Sequence, residues 1–236
     1  VWSILVLTRF SPIMTSDSKD NSSNRLPYYS APEVALHNVS SDCWVSYFGK
    51  VYDLTPLVQE HRGLLVNPIL KFAGQDISHW FDARTLEPRN YVHPELGVEV
   101  PFTPYGRYVH IPPPEPVIDW MTHIPCPWWR DTKYLIGNLS KKQRKIKVVN
   151  VLSGQTDEIP VCAEETLEEI RQRYLTYNAH ALSYTWKRLG RPLNMALTLE
   201  DNGVPDESEE FAALSIDEDQ YIPAIHIYFN DDLTVK

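Results

Sequence analysis

Between Ser30 and Phe81 the chain marks the ends of its own local elements every few residues. That punctuation leaves room only for short helices beside a small sheet. Ser30, followed three positions later by Glu33, is a capping box: the hydroxyl accepts a free backbone N–H and the carboxylate reaches back. Cys43–Tyr47 and Val51–Leu54 are β-rich runs around Gly49-Lys50 and predict a hairpin. Thr55-Pro56 and Asn67-Pro68 both read as helix starts, with proline where no N–H is needed. Gly74 ends the short helix Ile69–Ala73, and Asp76 caps the next one through Trp80 and Phe81. Short helices set in pairs against a small sheet enclose a pocket.

The residues that make this pattern also carry a resemblance. Ser30-Ala-Pro-Glu33-Val-Ala-Leu-His37-Asn38 is followed by Asp42-Cys-Trp44-Val, Gly49-Lys-Val-Tyr-Asp53-Leu-Thr55, His61-Arg-Gly63, Ala73-Gly-Gln-Asp76 and Phe81. Their order and spacing resemble the haem-binding pattern of the cytochrome b5 family. The resemblance implies a haem b held between two axial imidazoles, one from each helical pair, with the axial ligands setting the potential. His61 falls where the first ligand belongs, six residues beyond Thr55, in a His-Arg-Gly-Leu loop where the family has His-Pro-Gly-Gly. The second ligand is expected five positions after Phe81. Leu86 stands there and cannot coordinate. His93, Tyr91 as a phenolate, His79 and, behind them, His110 are the substitutes within reach, while His37 and His226 read as solvated or hydrogen-bonded histidines.

Beyond residue 101 the chain changes character. Pro112-Pro-Pro-Glu-Pro116 excludes a regular helix or a central strand and predicts extended chain, with Trp120, Trp128 and Trp129 after it. So many tryptophans suit a strap packed across one or both domains, or an anchor for a partner protein. From Lys145 a second unit opens: a strand at Ile146–Val151, a turn at Ser153-Gly154, and a return strand over Glu158–Cys162. Thr166-Leu-Glu-Glu169 is another capping box, with Leu167, Ile170 and Tyr174 on one helical face. Tyr184-Thr-Trp-Lys187, Leu189-Gly-Arg191 and Thr198-Leu-Glu-Asp-Asn-Gly203 follow, and Ala224–Phe229 closes the unit. This order resembles ubiquitin and its β-grasp relatives. Lys187 replaces the central isoleucine of the ubiquitin recognition patch, although Leu152 is kept, and no diglycine follows Phe229. The resemblance therefore implies docking rather than conjugation.

The expected fold class is α+β, a cytochrome b5-like domain followed by a ubiquitin-like β-grasp domain. The expected division is a disordered leader over 1–27, the b5-like domain over 28–111, a Pro/Trp-rich connector over 112–140, and the β-grasp domain over 141–236. Residues before Met14 read as a variable leader or an assembly artefact. Net charge −9 argues against a general nucleic-acid binder, which needs a basic face to displace phosphate counterions. No apolar run approaches the roughly 18 residues of a spanning helix, so no membrane partner is expected. Three cysteines without metal-type spacing read as reduced thiols, Cys43 as a core residue. No nucleotide-binding loop or nucleophile elbow is present. Asp201 to Glu210 reads as a solvated acidic loop, and Lys141 to Lys147 as a basic linker able to meet an acidic surface.

Taken whole, the chain resembles a family that joins a cytochrome b5-like domain to a ubiquitin-like one. That resemblance implies a cytoplasmic protein of the ciliary or flagellar axoneme, with radial-spoke and microtubule-associated partners. Two roles stand open: a one-electron carrier or redox sensor linked to motility, with its own redox partner, and a haem-free adaptor.

Overall fold

A computed structural model describes residues 25–95, 97–113 and 126–230. The predicted leader therefore lies almost wholly outside the described residues, as does Trp120.

The first domain is built on a five-stranded sheet. Strand β1 (Tyr28–Tyr29) leads into helix α1 (Ala31–Leu36), β2 (Asn38–Val39), β3 (Asp42–Tyr47) and β4 (Lys50–Asp53). The sheet is completed by β7 (Leu135–Leu139), and its order is β1-β7-β4-β3-β2. The capping box forms as read: Ser30 N–H donates to Glu33 at 2.7 Å and Glu33 N–H to Ser30 Oγ at 3.4 Å. The β3–β4 hairpin is there, one residue earlier than expected. Phe48 (φ 43°) and Gly49 (φ 74°) are the two turn residues, both left-handed, which matches the right-handed twist of the strands. Phe48 tolerates this because its N–H donates to Ser78 Oγ at 2.8 Å.

Helices α2 (Thr55–Glu60) and α3 (Asn67–Lys71) begin at their Thr-Pro and Asn-Pro signals. Thr55 does not cap α2, however: its hydroxyl accepts from Cys43 N–H at 2.9 Å, and Asp53 takes the Thr55 N–H at 2.9 Å. The hydroxyl thus ties the helix to the sheet. Gly74 (φ 78°) lets the chain turn under α1, where a Cβ would lie 3.0 Å from Ala35 Cα.

The second helical pair expected of the cytochrome pattern is replaced. After a single 3₁₀ turn (Ser78–Trp80), the described chain up to residue 113 holds only the two-stranded ribbon β5 (Asn90–Val92) and β6 (Glu99–Pro101) and irregular segments. The connector expected over 112–140 also changes place. Its described part, from residue 126, belongs to the first domain: Trp128, Trp129 and Tyr134 are buried in that core and β7 sits within its sheet. The domain boundary therefore falls near Ser140 rather than at 111. The strap reading of the tryptophans accounts for this, because buried indoles cannot serve as a free linker.

The second domain has its own core and a five-stranded mixed sheet. Strands β8 (Gln143–Asn150) and β9 (Thr156–Cys162) form a hairpin, α4 (Leu167–Tyr174) crosses, and β10 (Tyr184–Arg188) and β11 (Arg191–Pro192) follow. Helix α5 (Ser208–Ala213) precedes β12 (Ala224–Phe229), which inserts parallel to β8 in the order β11-β10-β12-β8-β9. Leu167, Ile170 and Tyr174 are buried on one face of α4, as their spacing requires. The acidic stretch after Asp201 is not a free loop. Arg144 donates to the Val204 and Pro205 carbonyls at 3.0 and 2.6 Å, Lys142 pairs with Asp206 at 2.6 Å, and α5 starts at Ser208.

Arg173 joins the two domains. From α4 it reaches Glu165 at 2.5 Å, the Tyr28 carbonyl at 2.9 Å, and both carboxylate oxygens of Glu33 at the head of α1. Among the described residues no helix is long and apolar enough to cross a membrane.

Candidate functional site

His61 is the residue that ends α2. Its N–H donates to the Leu57 carbonyl at 3.0 Å, and the turn that follows runs through Gly63 (φ 150°), where only glycine is unstrained. This local geometry carries the imidazole against the domain core. Its Nδ1 is buried without a hydrogen-bond partner.

Of the four histidines and tyrosines named as second ligands, the structure brings His110 to this ring. The two imidazoles stand 5.5 Å apart between centroids, with their planes at 90°. His110 itself holds a left-handed backbone (φ 71°), and its Nδ1 accepts the Trp128 N–H at 3.0 Å. That bond places the His110 proton on Nε2. Burial, reinforced by His61, pulls the His110 pKa below its ordinary value, so the ring is neutral at pH 7.

The other candidates lie elsewhere. His79 is exposed on the 3₁₀ turn, beside Phe72 and Tyr105. Tyr91 and His93 belong to the β5–β6 ribbon, 6.2 Å apart, where Tyr91 packs on Phe102 and is 42% exposed. Neither is brought to His61, because the chain between Phe81 and Tyr108 forms that ribbon instead of a helix pair. Leu86, at the expected ligand position, is a surface turn residue (φ 58°) whose carbonyl accepts the Tyr47 hydroxyl at 2.5 Å. A metal-ligating pair of His61 with His93 is therefore not formed.

The core to which His110 is tied through Trp128 is aromatic. Trp80 and Phe81 from the cup meet Tyr108, Val109 and Ile111 from one later segment and Trp128 and Trp129 from another, all at most 7% exposed. Ring centroids stand at 4.9 Å for Trp80–Tyr108, 5.9 Å for Phe81–Trp128 and 5.6 Å for Trp128–Trp129. These are contact distances for edge-to-face and tilted pairs. The Trp129 indole and Arg130 both donate to Glu87, at 3.3 and 2.5 Å. Glu87 and the Trp128–His110 bond escaped the sequence reading. The one signal for them was the apolar run Tyr108-Val109-Ile111 next to the proline segment.

A scan against protein-family models matches residues 30–140 to the cytochrome b5-like haem/steroid binding domain. The protein called cytochrome b5 domain-containing protein 1 in Xenopus laevis is 51% identical over 208 residues, covering 88% of this chain and 96% of that one. Its namesakes in Mus musculus and Homo sapiens are 52% and 51% identical, each over 88% of this chain and 91% of their own. The chain belongs to the cytochrome b5 domain-containing protein 1 family. Among solved structures, Ectothiorhodospira vacuolata cytochrome b558, described as a prokaryotic homologue of cytochrome b5, is 27% identical, with a TM-score of 0.26. The match covers 48% of this chain and 99% of that one.

The family model's description raises the question whether a haem fits these residues. The ring spacing alone is near that of two imidazoles on one metal, since bonds of about 2 Å put their centroids about 6 Å apart. The space does not match. A flat macrocycle touching walls on both faces needs them about 7–8 Å apart, twice the ordinary carbon–carbon contact. Here Trp80 and Phe81 are in direct ring contact with Tyr108 and Trp128. In this packing the residues do not fit a macrocycle. Among the described residues no group of three or more His, Cys, Asp or Glu side chains could hold a bare metal ion either. A hollow of about 530 Å³ opens near the α2–α3 turn, lined by Gln59, Arg62 and Asn67 together with Val58, Val66 and Leu70, and His61 does not line it.

Proposed function

We propose that this chain is a haem-free docking protein of the ciliary axoneme, and that its cytochrome b5-like domain serves as a rigid scaffold. The observation that carries this reading is the filled cup: Tyr108, Trp128 and Trp129 are buried in one core with Trp80 and Phe81 and in ring contact with them. The Arg173 bridge supports it further by coupling both domains into one body. The second domain, with its hairpin, crossing helix and central β12 parallel to β8, is read as a ubiquitin-like β-grasp module used for partner contact. Lys187, lying over the Tyr228 ring at 4.7 Å, makes its sheet face unlike the apolar patch of ubiquitin. Radial-spoke and microtubule-associated proteins are the partners the family resemblance implies.

A second reading, a haem-linked redox sensor controlling motility, is favoured by one observation: the His61–His110 pair with its unpartnered Nδ1. Replacing the chromosomal copy in ciliated cells with His61→Ala separates the two. The docking reading expects the variant to stay with detergent-extracted axonemes and the cilia to beat as in wild type. Normal retention with altered beating would overturn it in favour of the sensor, and loss from the axoneme in a folded variant would implicate the pocket in docking.

A further inference from the structure

At the turn between α2 and α3 the first domain sets apolar surface beside polar groups that the fold does not use. The hollow of about 530 Å³ there has an apolar floor, with Val58 and Val66 buried and Leu70 half-buried. Its rim is polar. Ser40 and Ser41 from the β2–β3 turn, Gln59 near the end of α2, Arg62, and Asn67 at the head of α3 are all exposed. None of these five side chains makes a hydrogen bond or an ion pair among the described residues. Arg62 differs in this from the arginines elsewhere. Arg89, Arg144 and Arg188 donate to backbone carbonyls, and Arg130, Arg171 and Arg173 pair with carboxylates. Acids outnumber bases in this chain by 31 to 22, so Arg62 is not left over for want of carboxylates. The apolar surface also continues along the chain from the hollow. Leu64, directly after the lining residue Gly63, is 84% exposed, and Val39, directly before Ser40, is 51% exposed. Apolar groups gathered inside a polar rim mark a contact surface rather than scattered exposure.

A piece of protein chain suits this surface. The carboxamides of Gln59 and Asn67 each offer a donor and an acceptor, which is what a peptide group needs and a lipid tail does not. Val58, Val66 and Leu70 suit an apolar side chain, and the guanidinium fork of Arg62 suits a carboxylate. We propose that the hollow docks a partner-protein segment in which an apolar side chain lies next to an aspartate or glutamate, the apolar group on the floor and the carboxylate on Arg62. The first domain thereby has a partner contact of its own, which rests on the docking reading and goes beyond it.

An array of short immobilised peptides, probed with the purified full chain, tests this. Three sets carry a central leucine or phenylalanine flanked by Asp and Glu, by Lys and Arg, or by Ser; a fourth carries Asp and Glu around a central Ser. The wild type is expected to bind the acid-flanked apolar set and to pass over the other three. Arg62→Glu should weaken that binding by about tenfold or more, the weight of a charge-assisted hydrogen bond, and turn the preference toward the Lys- and Arg-flanked set. Leu64→Ser should weaken binding without changing the charge preference. Arg191→Glu, at an exposed arginine of the second domain, is the control for net charge and should bind as the wild type does. All three positions are exposed, and unchanged thermal melting shows that each variant keeps its fold. No binding to the acid-flanked apolar set would overturn the proposal. So would binding that Arg62→Glu leaves unchanged, or that Arg191→Glu weakens as much. The docking reading would survive these results, because it stands on retention of the chain in the axoneme, which the array does not measure.

Discussion

Replacing Arg173 with Met tests whether the two domains are one body. The Arg173 side chain is 24% exposed and bridges Glu33 (29% exposed) and Glu165, which is only 4% exposed. Glu33 regains water when the arginine goes, but Glu165 keeps only the Cys162 N–H at 2.8 Å. Breaking a buried pair and stranding one charge costs about 3–5 kcal/mol; with one carboxylate free to rehydrate the lower end applies, about 3 kcal/mol. In a chain of this size that is a fall in Tm of about 6–12 °C. Burial, only partly offset by the Cys162 N–H and Arg173, already holds the Glu165 pKa above its ordinary value. Burial acts the same way on Glu33, yet the Arg173 and Ser30 hydrogen bonds outweigh it and hold that pKa below. The signs follow: the stabilisation from Glu33 is present above its unfolded pKa and lost as pH falls through the folded one. Glu165, raised in the fold, favours the folded state at low pH and loses that advantage as pH rises. The deficit of Arg173→Met is therefore largest near pH 7 and narrows as the pH is lowered toward 5, because Glu165, held above its ordinary value by burial, takes up a proton more readily and then no longer needs a partner. Adding Glu165→Gln should recover most of the lost stability at pH 7. Thermal denaturation followed by circular dichroism at both pH values is the assay. A single variant that melts with the wild type, or a double variant no better than the single, would refute the reasoning.

Three further outcomes are expected. Cys43 and Cys162 are buried, and burial pushes both thiols up to about 12, whereas Cys126 is exposed; Ellman's reagent at pH 8 should titrate one thiol quickly in the native chain and three after denaturation, and three fast thiols would contradict the packing. Trp128→Ala should cost about 3–5 kcal/mol in urea unfolding and weaken the near-ultraviolet dichroism of the aromatic cluster; a loss well below 1 kcal/mol would mean the indole is not core. Gly137→Ala puts a Cβ at 2.6 Å from the Pro27 carbonyl oxygen and the Tyr29 ring, so it should destabilise by about 1–3 kcal/mol, and a neutral result would show that β1 does not pack against β7 as described.

Local chemistry was the legible part of the sequence. Both capping boxes form, the proline-marked helices start where proline allows, and the periodicity of Leu167, Ile170 and Tyr174 buries one face of α4. These features depend on successive residues no more than four positions apart. The parts that were not legible are long-range. Thr55 could cap a helix or bond Cys43, and only the approach of β3 decides. The ribbon β5–β6 in place of a helix pair, and the return of Trp128 to His110, 18 positions away, depend on which apolar surface closes the cup. The histidines near Phe81 were the natural second ligands by spacing. The one that reaches His61 comes from beyond the ribbon, because Tyr108, Val109 and Ile111 carry it inward as they bury.

An absorption titration of the purified full chain with haemin bears most directly on the filled cup. The packing of Tyr108, Trp128 and Trp129 predicts that one equivalent of haemin gives only the broad spectrum of free or loosely adsorbed haem, unchanged by His61→Ala or His110→Ala. A sharp Soret band saturating at one haem per chain, and lost in either variant, would contradict it.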